Sequence, residues 1–553
     1  MTSRSVVLLC LAAILVLALG LRLWGLNFGL PYAYHVDEPT YVSAALNLGA
    51  GIVGRQPNPT GFSNILFGEY AGYFVVGRIA GLFKSASDFE RAYRADPSAF
   101  LLLGRLTSML FGLANVLVVF WLGKQTHGPG TGLLAALLLA VAFLHVRDSH
   151  YGVPDITMAF FATLSVATSI LALRQRGRGY LSLAVAACGF AIAVKWSAWP
   201  LVIVPALTIL HRWRTQDSSS RPAKGALDVL VSLLSGIGGF AVGGLQVLLN
   251  PALYWEYAQR ELQAGEGGGF GQWQIDTVPG WQFYFQTLAY GLGIAFLALA
   301  ILGCLVIIVR AVRTKDRTSI VLVSFPLLYY LVMGATRHYF ARYALALVPF
   351  AALFAAQAIL GLKERVRAWH AGMGRGLGLI LILAAVIQPL LWSARHDMLL
   401  AREDTRTLAK SWIEANIPAG SKIAVDWPVY GPPLSTGAPD SPPAAKVYDV
   451  TVVRGIGLAE HPLSWYSDAG FDYLVTSSFI YDLHLTFAKP DAQKRAFYAA
   501  LDTQYQLVRE FSPSTDGSEP PFIFDEIYGP AVSLWQREQP GPVLKIYKVV
   551  RTQ

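Results

Sequence analysis

Tyr34-His35-Val36-Asp37-Glu38-Pro39 sets two adjacent carboxylates just beyond an apolar run that ends near residue 24. A later run ends in His145-Val146-Arg147-Asp148-Ser149-His150, and Pro154-Asp155 opens the next one. Ionisable groups at a bilayer edge are costly to hold, and they mark places that bind or react. Proline suits the first positions of a helix and an apolar stretch follows it to about Gly49, so Glu38-Pro39 reads as a helix start. Asp37 and Glu38 then face the positive end of the helix dipole, which favours their negative charge. Pro154-Asp155 repeats the arrangement. Either acid alone is commonly a cap. Set beside Arg147, His150, Lys195, Arg337, His338 and Arg342, the two clusters fit a particular reaction: displacement of a lipid phosphate from a sugar. A carboxylate takes the proton of the acceptor hydroxyl. Fixed Arg and Lys side chains stabilise the charge that grows on the departing phosphate.

That chemistry needs both clusters on one face of a membrane, so the elements that carry them decide the matter. The chain has 553 residues, 54% hydrophobic and only 14% charged, with a mean hydropathy of +0.45. These values belong to polytopic membrane proteins. The net charge of +9 comes from short basic clusters between apolar runs, the pattern of cytoplasmic loops, which argues against nucleic acid as a partner. Apolar runs of span length fall near 5–24, 101–123, 131–146, 155–173, 180–195, 197–211, 225–249, 286–310, 319–335, 341–361 and 376–393. The stretch 64–83 holds Glu69 and Arg78 and is read as interfacial. With eleven crossings, Lys124, Arg174–Arg178, Arg212–Lys224, Arg310–Arg317 and Lys363–Arg375 all fall on one side, which the positive-inside rule makes cytoplasmic. The first run is expected to stay as an anchor, with the amino terminus inside. The loop at about 25–99, the Arg147–Asp155 turn, the Arg337–Arg342 turn and the carboxyl-terminal region then lie outside, at a cell membrane crossed many times.

From about residue 399 to 553 the composition becomes that of a soluble domain. Asp404 can cap a helix running through Asn416, which Pro418-Ala419-Gly420 ends. Strand-like runs follow at Lys422–Asp426, Lys446–Val453, Asp472–Thr476, Tyr505–Phe511 and Val543–Val549, with a helix at Asp491–Asp502. The expected fold is therefore a polytopic α-helical membrane domain, residues 1–398, followed by an extracytoplasmic α/β domain, residues 399–553. Cys10, Cys188 and Cys304 all lie in apolar runs, with neither disulfide nor metal spacing. Gly265–Gly271 follows no strand and reads as a loop rather than a nucleotide cradle.

Asp37-Glu38 after the first span, the His150…Pro154-Asp155 turn, Gly189–Lys195 with Trp196, and Arg342-Tyr343 before Pro349 together resemble the glycosyltransferase C superfamily. The branch resembled is that of the protein O-mannosyltransferases of glycosyltransferase family 39 and the related lipid A aminoarabinose transferases. Asp404-Thr405-Arg406…Trp412-Ile413 and Gly470-Phe471-Asp472-Tyr473-Leu474 are similar to the external domains of bacterial members. The resemblance implies a polyprenyl-phosphate sugar donor, inversion at the anomeric carbon and a site on the non-cytoplasmic face. It makes Asp37 the base, with Glu38 positioning acceptor or donor and Asp155 completing the polar wall. Substrate and phosphate contacts are expected from His35, Arg147, Asp148, His150, Lys195, Arg337, His338, Arg342 and Tyr343. No Asp-x-Asp, Trp-Trp-Asp or cysteine pair is present. No obligatory cofactor is expected, although a divalent Mg or Mn ion at Asp37, Glu38 and Asp155 is left open. Protein, glycolipid and polysaccharide acceptors are equally open. A transporter or flippase of a lipid-linked anion, or a membrane sensor with an external binding domain, would use the same charges differently.

Overall fold

The computed structural model describes residues 3–52, 59–175, 177–215, 221–267, 279–336, 340–426, 429–437, 445–453, 457–482, 485, 492–514, 516–517 and 533–550. The helical part runs α1 (Ser3–Leu23), α2 (Glu38–Gly49), α3 (Gly61–Ile79), α4 (Ala86–Ala95), α5 (Ser98–His127), α6 (Pro129–Val141), α7 (Phe143–Asp148), α8 (Pro154–Gln175) and α9 (Arg178–Val194). It continues with α10 (Ile203–Arg214), α11 (Arg221–Leu249), α12 (Pro251–Gly267), α13 (Gly280–Leu292), α14 (Ile294–Thr314), α15 (Arg317–Ala335), α16 (Val348–Arg367) and α17 (Ala371–Leu400).

Among the described residues, eight helical stretches are long and apolar enough to cross a membrane, and they include α1, α5, α8, α11, α14 and α15. The other two are Ala341–Arg367, which ends in α16, and the stretch that begins with α17. The remaining three of the eleven expected runs form shorter pieces. The 131–146 run breaks at Ala142 between α6 and α7, α9 has 17 residues, and 197–211 becomes a 3-10 turn, Trp196–Val202, followed by α10. The 286–310 run is corrected too. It divides at Gly293, whose φ of +85° no side-chain-bearing residue adopts readily, so the long helix starts at Ile294. The interfacial stretch is α3, which is not among the eight. Its start lies so close to α9 that a Cβ on Gly61 would meet the Ala193 carbonyl at 2.6 Å. Asn64 and Gln246 exchange amide hydrogen bonds at 2.8 and 3.1 Å and tie α3 to α11.

α18 (Thr405–Asn416) begins where expected. Asp404 caps it by accepting the Arg406 N–H at 2.9 Å. Beyond it five strands, β1 (Lys422–Val425), β2 (Asp449–Val452), β3 (Tyr473–Ser477), β4 (Gln506–Phe511) and β5 (Leu544–Lys548), form one mixed sheet in the order β2-β1-β3-β5-β4. β2, β1 and β3 are parallel, with Ile423 opposite Val450 and Tyr473; β5 is antiparallel to both β3 and β4. α19 (Ala492–Gln504) packs Phe497, Tyr498 and Leu501 into one core of this sheet, and α18 packs Ile413 into the other. The three cysteines are free thiols. Most of Gly265–Gly271 lies outside the described residues.

Candidate active site

Asp37 is the residue before α2, the position of a cap, yet its carboxylate makes no capping hydrogen bond. It pairs instead with the Arg342 guanidinium at 3.1 Å, across about 300 residues of chain, and stays about one-third exposed. Asp155, in the first turn of α8, accepts a hydrogen bond from Lys195 Nζ at 2.5 Å. The Lys195 ammonium also lies 4.3 Å from the centre of the Tyr343 ring. The two pairs adjoin. Lys195 stands in the fields of Arg342 and Asp37 as well as Asp155, and the buried Tyr41 hydroxyl in those of Asp37, Asp155, Arg342 and Tyr343. Two carboxylates and two cations, drawn from four elements, share one patch.

Each of the four sits where helical continuity stops. Lys195 is extended (φ −154°, ψ 126°) between α9 and the 3-10 turn at Trp196. Arg342 belongs to another 3-10 turn, Ala341–Leu347, which leads into α16. Such turns are tighter than α-helix and re-aim the side chains they carry. The Tyr329 hydroxyl braces this turn by donating to the Tyr343 carbonyl at 3.0 Å.

Behind Asp37 the packing is tight. Nδ1 of His35 accepts the Asp37 N–H at 3.2 Å, and its ring lies 4.7 Å from that of Tyr151. Burial holds the imidazole well below its ordinary range, at about 3, partly offset by Glu38 and reinforced by Arg342. A neutral ring is what the Nδ1 acceptor role requires. Glu38 is corrected in position. It is 1% exposed, its two oxygens take both arms of Arg105 at 2.8 and 2.9 Å, and one also accepts the Gly152 N–H at 2.9 Å. Both oxygens of the carboxylate are engaged by protein groups. Arg105 in turn donates to the Leu26 and Phe28 carbonyls, stitching the first loop to α5.

Arg147 and Asp148 pair with each other at 2.8 Å, both buried. They stand one layer behind, in the fields of His35 and Tyr151. His150 points elsewhere. Its ring is fixed against the Val146 and Trp24 carbonyls at 2.9 and 3.1 Å, and it lies 3.6 Å from Asp397 on α17, beside His396. Arg337 and His338 lie outside the described residues.

Arg105 and Tyr41 escaped the sequence reading. Arg105 had a visible signal, a lone charge four residues into an apolar run; Tyr41 had none. Arg406, by contrast, gains a definite task. Its guanidinium is held by Asp404 at 2.7 and 2.8 Å, lies 3.8 Å from the Tyr34 ring, and donates to the Val429 carbonyl at 2.6 Å. Tyr34 Oη and Thr407 Oγ1 are 2.7 Å apart. The sheet domain thus grips the chain three residues before Asp37.

Residues 74–242 match the family model described as dolichyl-phosphate-mannose-protein mannosyltransferase. No curated protein matches the sequence. Among solved structures, the chain is similar to the Archaeoglobus fulgidus oligosaccharyltransferase tethered with an acceptor peptide (TM-score 0.56, 13% identity, 99% of this chain and 89% of that one). It is also similar to oligosaccharyltransferase AglB of that organism in complex with an inhibitory peptide and a dolichol-phosphate (TM-score 0.54, 13% identity, 92% and 73%). ArnT from Cupriavidus metallidurans bound to undecaprenyl phosphate aligns over 99% and 98% at a TM-score of 0.46 and 14% identity. The expected resemblance to a mannosyltransferase family is met over residues 74–242, and the likeness to the oligosaccharyltransferase structures shows the fold.

Proposed function

We propose that this chain, which matches a mannosyltransferase family model over residues 74–242 and shares its fold with an oligosaccharyltransferase, is an integral membrane glycosyltransferase. It moves a sugar from a polyprenyl-phosphate donor to an acceptor hydroxyl on the non-cytoplasmic face, with inversion. The observation that carries the reading is the Asp37–Arg342 pair beside Asp155–Lys195. Asp37 is the half-open carboxylate of the group, so it takes the acceptor proton. Arg342 and Lys195 stabilise the phosphate as its bond to the sugar breaks. Asp155 orients Lys195, and Glu38 with Arg105 fixes the start of α2 so that Asp37 is held in register. The basic loops support a cytoplasmic amino terminus and an external sheet domain.

A divalent ion at Asp37, Glu38 and Asp155 would have to displace basic side chains. Asp37 and Asp155 each already hold a cation, and Glu38 is spent on Arg105. No step is routed through a metal.

The test is incubation of the full chain in detergent with defined polyprenyl-phosphate sugars and membrane lipids, followed by mass spectrometry. A covalently glycosylated product together with released polyprenyl phosphate is expected. Movement of the lipid across proteoliposomes with no covalent product would sink the reading in favour of a flippase.

A further inference from the structure

α8 joins two charged regions. Asp155 lies in its first turn and Arg174 in its last, about 30 Å apart at 1.5 Å per residue, which is the thickness of a bilayer's hydrocarbon core. Around Arg174 a cavity of about 730 Å³ opens at the far end of the bundle. Its lining includes Arg174, Arg178, Arg212, Lys224, Lys315 and Arg317, with Asp316 the one acidic lining residue among those described. These cations come from the ends of α8 and α10, the starts of α9, α11 and α15, and the link before α15. Three helix starts and the ends of α8, α10 and α14 meet at this space, so their dipoles offset and the positive excess comes from the side chains.

Positive-inside bias alone scatters Lys and Arg over loops and lets them reach out into water. Here the arrangement is built. Arg212 is nearly buried, fixed by Asp228 at 3.0 Å and by the Ala172 carbonyl at 2.8 Å. Arg178 shares that same Asp228 at 3.0 Å. Lys315 adopts a left-handed backbone (φ +51°), uncommon for a side-chain-bearing residue, in a two-residue link that brings it to the cavity. One buried carboxylate steadies two guanidinium groups, and the cavity keeps a strong positive excess.

We propose that this cavity is a second anion site, which takes the phosphate headgroup of an anionic membrane lipid at the surface opposite the Asp37 cluster. A lipid is favoured over free phosphate by what flanks the cavity along the chain. Leu210 and Trp213 on α10, and Leu227 and Leu230 on α11, are exposed apolar side chains within two turns of Arg212 and Lys224. The Trp213 ring covers α11 at Gly225, where a Cβ would meet it at 2.6 Å. Phosphate in the basic cavity and acyl chains along the apolar flank satisfy both surfaces at once.

The experiment uses the full chain in nanodiscs of phosphatidylcholine doped with phosphatidylglycerol, and native mass spectrometry of retained lipid. Wild type is expected to hold phosphatidylglycerol selectively. The K224Q/K315Q/R317Q variant should lose that retention about tenfold or more, since each basic residue at an anionic surface contributes on the order of 1 kcal/mol. The R365Q/R375Q variant, which removes charges at the same end of the bundle but outside the cavity, should keep it. Equal loss in both variants, no selectivity in wild type, or displacement of the lipid by inorganic phosphate at the concentration of its own headgroup would overturn the proposal. Should the triple variant misfold, photoactivatable phosphatidylglycerol on wild type decides: crosslinks at the starts of α9, α11 and α15 support the site, and crosslinks confined to other helices refute it.

Discussion

Asp37 and Glu38 are chain neighbours that end in regions of different character. Glu38 is sealed beneath the first loop, where both oxygens meet Arg105 and a backbone N–H. Asp37 lies in a half-open patch, where it pairs with a single arm of Arg342. A buried carboxylate with both oxygens hydrogen-bonded is an anchor, because moving it strands a charge. A carboxylate with one partner and access to water can exchange that partner for a substrate. The helix that begins between these two residues turns one side chain inward and leaves the other about one-third exposed.

The largest effect expected from breaking this contrast is on stability at the sealed site. Arg105→Met leaves Glu38 buried and unpaired, at a cost of about 3–5 kcal/mol, read as a marked fall in melting temperature in detergent. Asp37→Asn should do the reverse. Melting stays close to wild type while sugar transfer falls on the order of 10³-fold, within the range for loss of a positioned base. A variant pair that failed to separate in this way would show that the two carboxylates share one role. Arg342→Met sharpens the contrast further. Loss of one charge-stabilising donor is expected to lower turnover about 10²-fold with little change in melting, and Arg342→Lys should recover part of it.

A third carboxylate supplies the missing case, burial without a cation. Asp426 closes β1, is fully buried and, among the described residues, accepts the Leu458 and Ser477 N–H groups at 2.8 Å each. Burial pushes it up to about 7, against the pull of those two hydrogen bonds. The folded domain therefore holds this proton more tightly than the unfolded chain does. Its stability should be highest below about pH 4 with respect to this group, and should fall by about 2–4 kcal/mol as pH rises to about 7. Hydrogen exchange of β1 and β3 in the full chain measures the slope, and Asp426→Asn should flatten it.

Much of this architecture is legible in the chain because local signals and tertiary outcome agree. The Asp404 cap, the Pro39 helix start and the five strands all stand within a few residues of where alternation, capping and breaker residues put them. The site was legible only as a list of charges. Residue type could place Lys195 and Arg342 at the ends of apolar runs; it could not tell that an extended residue and a 3-10 turn would bring them onto Asp155 and Asp37, which lie far off along the chain. The same limit explains His150. The resemblance made it a substrate or phosphate contact, and in the structure its ring, hydrogen-bonded at the Val146 carbonyl, lies beside Asp397 on α17. The burial of Glu38 was hidden for a related reason, since its partner Arg105 enters from a helix 67 residues away.

The smallest test concerns how the sheet domain bears on the open carboxylate. Tyr34 lies under the Arg406 guanidinium and touches Thr407, three residues ahead of Asp37. Tyr34→Phe keeps the ring, and with it the cation–π contact, but deletes the hydroxyl. About 1 kcal/mol is the expected loss for one such hydrogen bond. Were the contact merely part of domain packing, the whole effect would appear in melting, and the transfer rate per folded enzyme would be unchanged. Were it a brace for the Asp37 loop, turnover would fall severalfold at constant donor KM, since a small displacement of a positioned base weakens the step it catalyses. Glu38 and Arg105 hold the loop from the membrane side, so the residual rate in Tyr34→Phe measures how much of the alignment of Asp37 comes from the sealed pair alone.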